Sequence, residues 1–96
     1  MITVRVRSMF DIKEVIGARD LSLVLDEGTT VRGLLYRLFE RYGVKLREKI
    51  MDSNTGNMHS HFTILVDGRN INYLNGMKTK LLDGSVISFL PSAGGG

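Results

Sequence analysis

The residues best suited to chemistry stand at the end of the chain, where the side chains shrink stepwise through Pro91, Ser92, Ala93, Gly94, Gly95 and Gly96. Residues without a Cβ atom can enter a channel too narrow for other side chains, and they let a partner's backbone approach closely. Fully extended, this segment reaches roughly 20 Å. The sequence therefore predicts a narrow C-terminal segment that can insert into a partner and ends in the carboxylate of Gly96.

Side-chain chemistry has few candidates. The chain contains no cysteine, which excludes disulfides, thiolate metal ligands and a thiol nucleophile. His59 and His61 have the spacing of two residues on one face of a strand, but no third ligand accompanies them, so we expect no metal site. Asp26 and Glu27 precede a predicted helix, where they suit the positive end of its dipole better than an acid–base pair. The side chains therefore offer no thiol nucleophile, no metal site and no clear acid–base pair.

The formal net charge is +3, but the thirteen basic residues are interleaved with ten acidic ones. A basic patch that suits an acidic partner or RNA could form if strands and loops brought together Arg5, Arg7, Arg69, Lys78 and Lys80. Ordinary solubility is the simpler interpretation, and we favour it. Met1 to Phe10 alternates polar and apolar residues, unlike a signal peptide or a membrane span. The expected location is therefore the cytoplasm.

Alternation of polar and apolar residues predicts the first strands. One covers Ile2 to Val6, and a second, antiparallel to it, covers Leu21 to Leu25. Asp11 to Asp20 is interpreted as a polar interruption between them. Phe62 to Val66 is predicted as a strand, with Asp67-Gly68 as a tight turn and Ile71 to Tyr73 as the returning strand.

The strongest periodic signal is an apolar helical stripe with spacings of three, four, seven, eight and eleven residues, formed by Val31, Leu34, Leu35, Leu38, Phe39 and Tyr42. Thr30 can cap this helix at its start, and Gly43 can end it. A short second helix is predicted at Lys45 to Met51, followed by a surface loop at Asp52 to Asn57. The order of elements indicates an α+β fold in one domain.

The last strand, Val86 to Leu90, stops at Pro91 and is apolar on both faces. Val86 and Leu90 point one way, and Ile87 and Phe89 point the other way. One set must face away from the helix, as a partner surface or under end loops or a second subunit. We hypothesise that Phe89 and Ile87 form a partner interface.

The ending LDGSVISFLPSAGGG, residues 82–96, resembles that of the molybdopterin synthase small subunit and its sulfur-carrier relatives, the MoaD/ThiS family. That family ends in a turn, an apolar strand, a proline and Gly-Gly. Thr30-Val31 with Leu34-Leu35 and Tyr42 also resembles the family's helix. The resemblance implies a ubiquitin-like β-grasp with a mixed sheet and one long helix across it. Residues 1–91 would form this domain, and residues 92–96 a flexible functional tail.

The function implied by this resemblance is that of a sulfur carrier. An ATP-dependent, ubiquitin-activating-enzyme-like adenylyltransferase would adenylate the carboxylate of Gly96, which would then become a thiocarboxylate. ATP would be used by that partner, and this chain would be neither an enzyme nor the holder of a bound cofactor. The tail from Pro91 to Gly95 would bind in the partner's channel. The sulfur would pass to the large subunit of molybdopterin synthase, in molybdenum cofactor biosynthesis, or to another acceptor enzyme.

Two other functions stay open. Small archaeal modifier proteins resemble the same family and are joined through their terminal glycine to lysines of target proteins. Alternatively, an RNA-binding β-grasp module would use the basic residues, and its terminal glycines would be incidental. The added segments at Asp11 to Asp20 and Lys45 to His61 favour a molybdopterin-type carrier over the shorter thiamine-type carriers. Ser92, Gly94 and the positive charge depart from the usual pattern, and they bear mainly on the choice of partner.

Overall fold

The computed structural model describes residues 1–91, which form a mixed sheet covered on one face by helices. Within this range the strands are β1 (Ile2–Ser8), β2 (Asp20–Leu25), β3 (Thr63–Val66), β4 (Arg69–Asn70) and β5 (Val86–Leu90). The helices are α1 (Phe10–Ile16), α2 (Val31–Tyr42) and α3 (Val44–Ile50), with 3₁₀ turns at Ile71–Tyr73 and Gly76–Lys78. The α+β class predicted from the sequence is confirmed.

The strands lie in the order β2-β1-β5-β3-β4, so that the last strand in the chain is central in the sheet. β5 runs parallel to β1 and antiparallel to β3, and β1 and β2 are antiparallel, as predicted. Along β1 the side chains alternate strictly between buried and exposed, because one face packs on the helices and the other is open. The period-two pattern of this strand thus sets the two faces of the whole sheet.

The core lies between the sheet and α2, whose apolar stripe is buried as its spacing predicts. Thr30 caps the helix, since its hydroxyl oxygen accepts a hydrogen bond from the Gly33 amide at 3.3 Å. Gly43, with a φ of 75°, ends it. Both termini and the length of α2 agree with the prediction, and α3 lies within one residue of its predicted bounds.

Two predictions about secondary structure are wrong. The segment predicted as an interruption contains α1, because Ile12 and Ile16 lie four residues apart and are both buried, while the polar residues between them face outward. The returning strand is β4 and begins directly after Gly68, so Ile71–Tyr73 is a 3₁₀ turn instead. The Asn70 side chain accepts a hydrogen bond from the Asn72 amide at 2.9 Å, which favours the turn at this point.

None of the helices in residues 1–91 has the length and apolar character needed to cross a membrane.

Candidate docking face and base of the C-terminal tail

The strand that precedes the predicted tail, β5, lies in the middle of the sheet. β5 is paired on both sides, with Ser8 opposite Phe89 in β1 and Thr63 opposite Leu90 in β3. The predicted site residues Ser92, Ala93, Gly94, Gly95 and Gly96 lie outside the described residues, which end at Pro91. A strand held by two neighbours gives the segment that follows it a rigid starting point.

Two chain segments flank the point of departure. β1 and β5 run in the same direction, so both strands finish at the same end of the sheet. Met9 and Phe10, which follow β1, therefore lie near Pro91, which follows β5. On the other side, the segment preceding β3 brings Phe62 against Phe89, with ring centroids 5.9 Å apart. The residues at this end of β1, β3 and β5 and in the segments next to them are called the tail base: Ser8, Met9, Phe10, His61, Phe62, Thr63, Leu90 and Pro91.

The hypothesis that Ile87 and Phe89 form a partner interface is wrong in its choice of face. Both side chains have 0% exposure and pack in the core, because they follow the same parity as the buried Val6 with which Ile87 is paired. The other set, Val86 and Leu90, is half-buried on the open side of the sheet. The apolar set of β5 that stays accessible is therefore the one on the opposite side of the same strand.

The open side of the sheet next to β5 combines apolar and basic groups. Arg5 and Arg7 of β1 lie beside Val86 and Ser88, and Leu65 of β3 lies opposite Ser88. Arg7 also forms an exposed ion pair with Asp20 of the neighbouring strand β2, at 3.3 Å. We call this surface the open sheet face: Arg5, Arg7, Thr63, Leu65, Val86, Ser88 and Leu90. It reaches the tail base at Leu90, so one partner can contact both.

The structure does not gather all the basic residues considered above. Arg5 and Arg7 lie on the open sheet face, whereas Arg69 is on the edge strand β4. Lys80 pairs with Thr30 at the start of α2, and Lys78 belongs to the preceding 3₁₀ turn. These positions form separate sites rather than one continuous patch.

The histidine pair lies in the loop before β3 instead of on a strand. The rings of His59 and His61 are stacked, with centroids 5.1 Å apart, and His59 Nε2 is 2.9 Å from the carbonyl oxygen of Glu48. No cluster of three or more metal-ligating side chains occurs in residues 1–91. The acidic pair Asp26 and Glu27 lies in the turn before α2, where Glu27 forms an exposed ion pair with the N-terminal amine at 3.7 Å.

A cleft of about 620 Å³ lies on the helical side of the molecule, away from the open sheet face. Its apolar lining comes from α2, α3 and the segments around them, and includes Leu35, Tyr36, Phe39, Met51, Met58 and Met77. The charged lining is balanced, with Arg32 and Arg47 against Glu48 and Asp52. This balance favours no particular charge in a ligand.

Comparison with known proteins identifies the family. A sequence model described as the ThiS family matches residues 11–96 of this chain. The chain belongs to the ThiS family. Small archaeal modifier protein 3 of Haloferax volcanii is 32% identical over 84 residues, covering 88% of each chain. A protein of Archaeoglobus fulgidus named as a candidate sulfur carrier is 34% identical over 70 residues, covering 73% of this chain and 77% of the relative.

A protein of known structure has the same fold. Small archaeal modifier protein 1 of Methanosarcina acetivorans has a TM-score of 0.84 at 29% identity, with 100% of this chain and 98% of that one covered. The predicted ubiquitin-like β-grasp is confirmed. A ThiS-family chain with this fold is a ubiquitin-like protein of the sulfur-carrier and modifier group.

Proposed function

We propose that this ThiS-family protein is a carrier that acts through the carboxylate of Gly96, which partner enzymes convert to a thiocarboxylate. The observation that carries this proposal is the position of β5: the strand that leads into the terminal glycines is held between β1 and β3. Because β5 is paired on both sides, a tail that follows it can insert into an enzyme while the sheet stays folded. The chemistry then belongs to the partners, and this chain supplies a substrate group and its orientation.

The first step is adenylation. A carboxylate oxygen of Gly96 attacks the α-phosphorus of ATP in the partner, pyrophosphate leaves, and an acyl adenylate forms. Hydrosulfide delivered by the partner system then attacks the carbonyl carbon, AMP leaves, and loss of the sulfur-bound proton gives the thiocarboxylate. A narrow, dry channel protects the acyl adenylate from water during this exchange. Gly94 and Gly95 suit such a channel because they have no side chains.

The activating partner would be a ubiquitin-activating-enzyme-like adenylyltransferase that docks on the open sheet face. Val86, Leu65 and Leu90 provide an apolar centre, as in the cores of other protein interfaces. Arg5 and Arg7 flank it and favour acidic groups in the partner. The tail base lies at the border of this face, so docking aligns the tail with the channel.

The destination of the sulfur is the finer part of the proposal. We favour the large subunit of molybdopterin synthase, as the resemblance of residues 82–96 to the small subunit suggests. The second candidate is a protein modifier joined through Gly96 to lysines of target proteins. The 32% identity to a small archaeal modifier protein over most of both chains supports this candidate. Both functions use the same acyl adenylate and differ in the nucleophile that attacks it.

An RNA-binding module has less support, because the basic residues lie on separate parts of the surface. Binding to RNA that weakens with salt and survives removal of Gly95 and Gly96 would favour it over both other functions.

Mass spectrometry of the terminal peptide tests the proposal. The protein is incubated with cell extract, ATP and a sulfur source, and the tryptic peptide that follows Lys80 is fragmented. None of the five methionines lies after Lys80, so methionine oxidation cannot imitate the replacement of oxygen by sulfur. The expected result is a thiocarboxylate on Gly96. A chain lacking Gly95 and Gly96 is the control and should stay unmodified.

The other outcomes are equally specific. Gly96 joined to a lysine Nζ would favour the modifier. An unmodified carboxylate in an extract that charges another carrier would contradict activation of this chain.

A further inference from the structure

Phe10 combines two properties that oppose each other. Its φ is 55°, in the left-handed region that a bulky side chain disfavours, and its side chain is 63% exposed. When an aromatic ring is buried in the core, the apolar surface that it removes from water can offset the strain in its backbone. Here the ring remains largely in solvent, so its presence is explained neither by backbone preference nor by burial.

The surrounding structure holds this conformation from both sides. Ser8 ends β1 and is fixed by its pairing with Phe89. Asp11 is joined to Lys49 of α3 by an ion pair at 3.1 Å, and Ile12 is fully buried. The chain must turn from β1 into α1 within two residues, and this requirement accounts for the left-handed conformation. It does not account for phenylalanine, because glycine or asparagine accepts such a conformation at lower cost.

The place of Phe10 in the fold suggests what the ring does. It belongs to the tail base, at the end of the sheet where β5 continues towards the terminal glycines. A partner that binds the tail must bring the rim of its channel to this end of the sheet. An exposed aromatic ring offers a large apolar contact there and, with only two side-chain torsions, loses little conformational freedom on binding.

We propose that Phe10 is a docking residue whose ring enters an apolar recess at the rim of the channel in the activating adenylyltransferase. This inference rests on the proposed function, because it requires a partner that takes up the tail. Phe10 touches no reacting atom in this account. It positions the carrier so that the carboxylate of Gly96 reaches ATP.

Kinetics of adenylation test this role. The full chain is assayed by ATP–pyrophosphate exchange with the purified adenylyltransferase from the same cell, and KM for the carrier is separated from kcat. We expect F10G to raise KM about tenfold or more, as for the loss of an aromatic anchor at an interface, with kcat changed little at saturation. F10Y, which keeps the ring, should restore KM to within about twofold of the wild type.

Matched variants separate docking from folding. Glycine suits the left-handed backbone, so F10G should unfold at the same temperature as the wild type or above it, and F10N serves if F10G does not fold. Tyr36 is the control aromatic: it is 53% exposed, lies in α2 on the helical side of the molecule, and Y36S should leave KM unchanged.

Three results would overturn the inference. They are an F10G variant with wild-type KM, an equal rise of KM in Y36S, and a KM that stays high in F10Y. Absence of exchange with the wild-type chain, using an enzyme that charges another carrier, would instead overturn the proposed function and this inference together.

Discussion

Two non-glycine residues in the described chain have left-handed backbones, Phe10 with a φ of 55° and Asp67 with a φ of 52°. At Asp67 the side chain offsets the strain. Its Oδ1 accepts a hydrogen bond from the Val86 amide at 2.9 Å, and its own amide donates to the Val86 carbonyl at 2.8 Å. Aspartate also tolerates this conformation better than most residues, and Gly68 completes the tight turn.

Phe10 shows the opposite relation between side chain and backbone. No side-chain hydrogen bond caps the start of α1, and the ring is mostly exposed. Asp67 is therefore suited to its place by local stability, whereas no contact within residues 1–91 accounts for phenylalanine at position 10. The comparison separates a residue that serves the fold from one that serves a partner, and variants at the two positions can test it.

The largest effect on stability is expected at Asp67. D67A loses the bond to the Val86 amide and places a less tolerant residue in the left-handed region, so we expect a loss of about 2 kcal/mol in unfolding free energy. Urea denaturation measures it. D67N can keep both the acceptor and the conformation, and should lose less than about 0.5 kcal/mol. A D67A variant as stable as the wild type would show that the side chain does not offset the strain.

At Phe10 the expected change in stability is smaller, and its sign differs from that at Asp67. F10G relieves the steric conflict but increases the entropy of the unfolded chain, so we expect between no change and a gain of about 1 kcal/mol. F10A keeps most of the conflict, and its stability should stay close to that of the wild type.

Both variants lack the ring, so both should weaken adenylation to the same extent. Denaturation and exchange kinetics on the same samples measure the two effects. If F10A adenylates normally while F10G does not, backbone rigidity rather than the ring would matter, and the role assigned to Phe10 would be wrong.

The sequence was informative where a long periodic pattern and a cap agree. The stripe from Val31 to Tyr42, with Thr30 before it, specified α2 and its termini. The first helix was missed because it has only two buried residues, Ile12 and Ile16, and its polar residues resemble those of a loop. Such a short helix is stabilised by tertiary packing, which a local pattern does not reveal.

The open sheet face could be predicted only in part. A strand with apolar residues at both parities gives no indication of which set is buried, and only the register with β1 assigns Ile87 and Phe89 to the core. The role proposed for Gly96 comes from resemblance to a family, and the match over residues 11–96 shows that the chain belongs to that family. Phe10 gave no signal in the sequence, because its unusual φ arises from the constraints on both sides of it.

The smallest effect is expected for an exposed aromatic residue on the far side of the molecule. Tyr36 is 53% exposed and lines the cleft on the helical side, where its backbone is regular helix. Y36S should change stability by less than about 1 kcal/mol and leave KM in the exchange assay unchanged, since neither strain nor proximity to the tail is involved. A rise in KM equal to that of F10G would mean that the partner also covers the helical side. The contrast between Phe10 and other exposed aromatic residues would then no longer indicate a contact specific to the tail base.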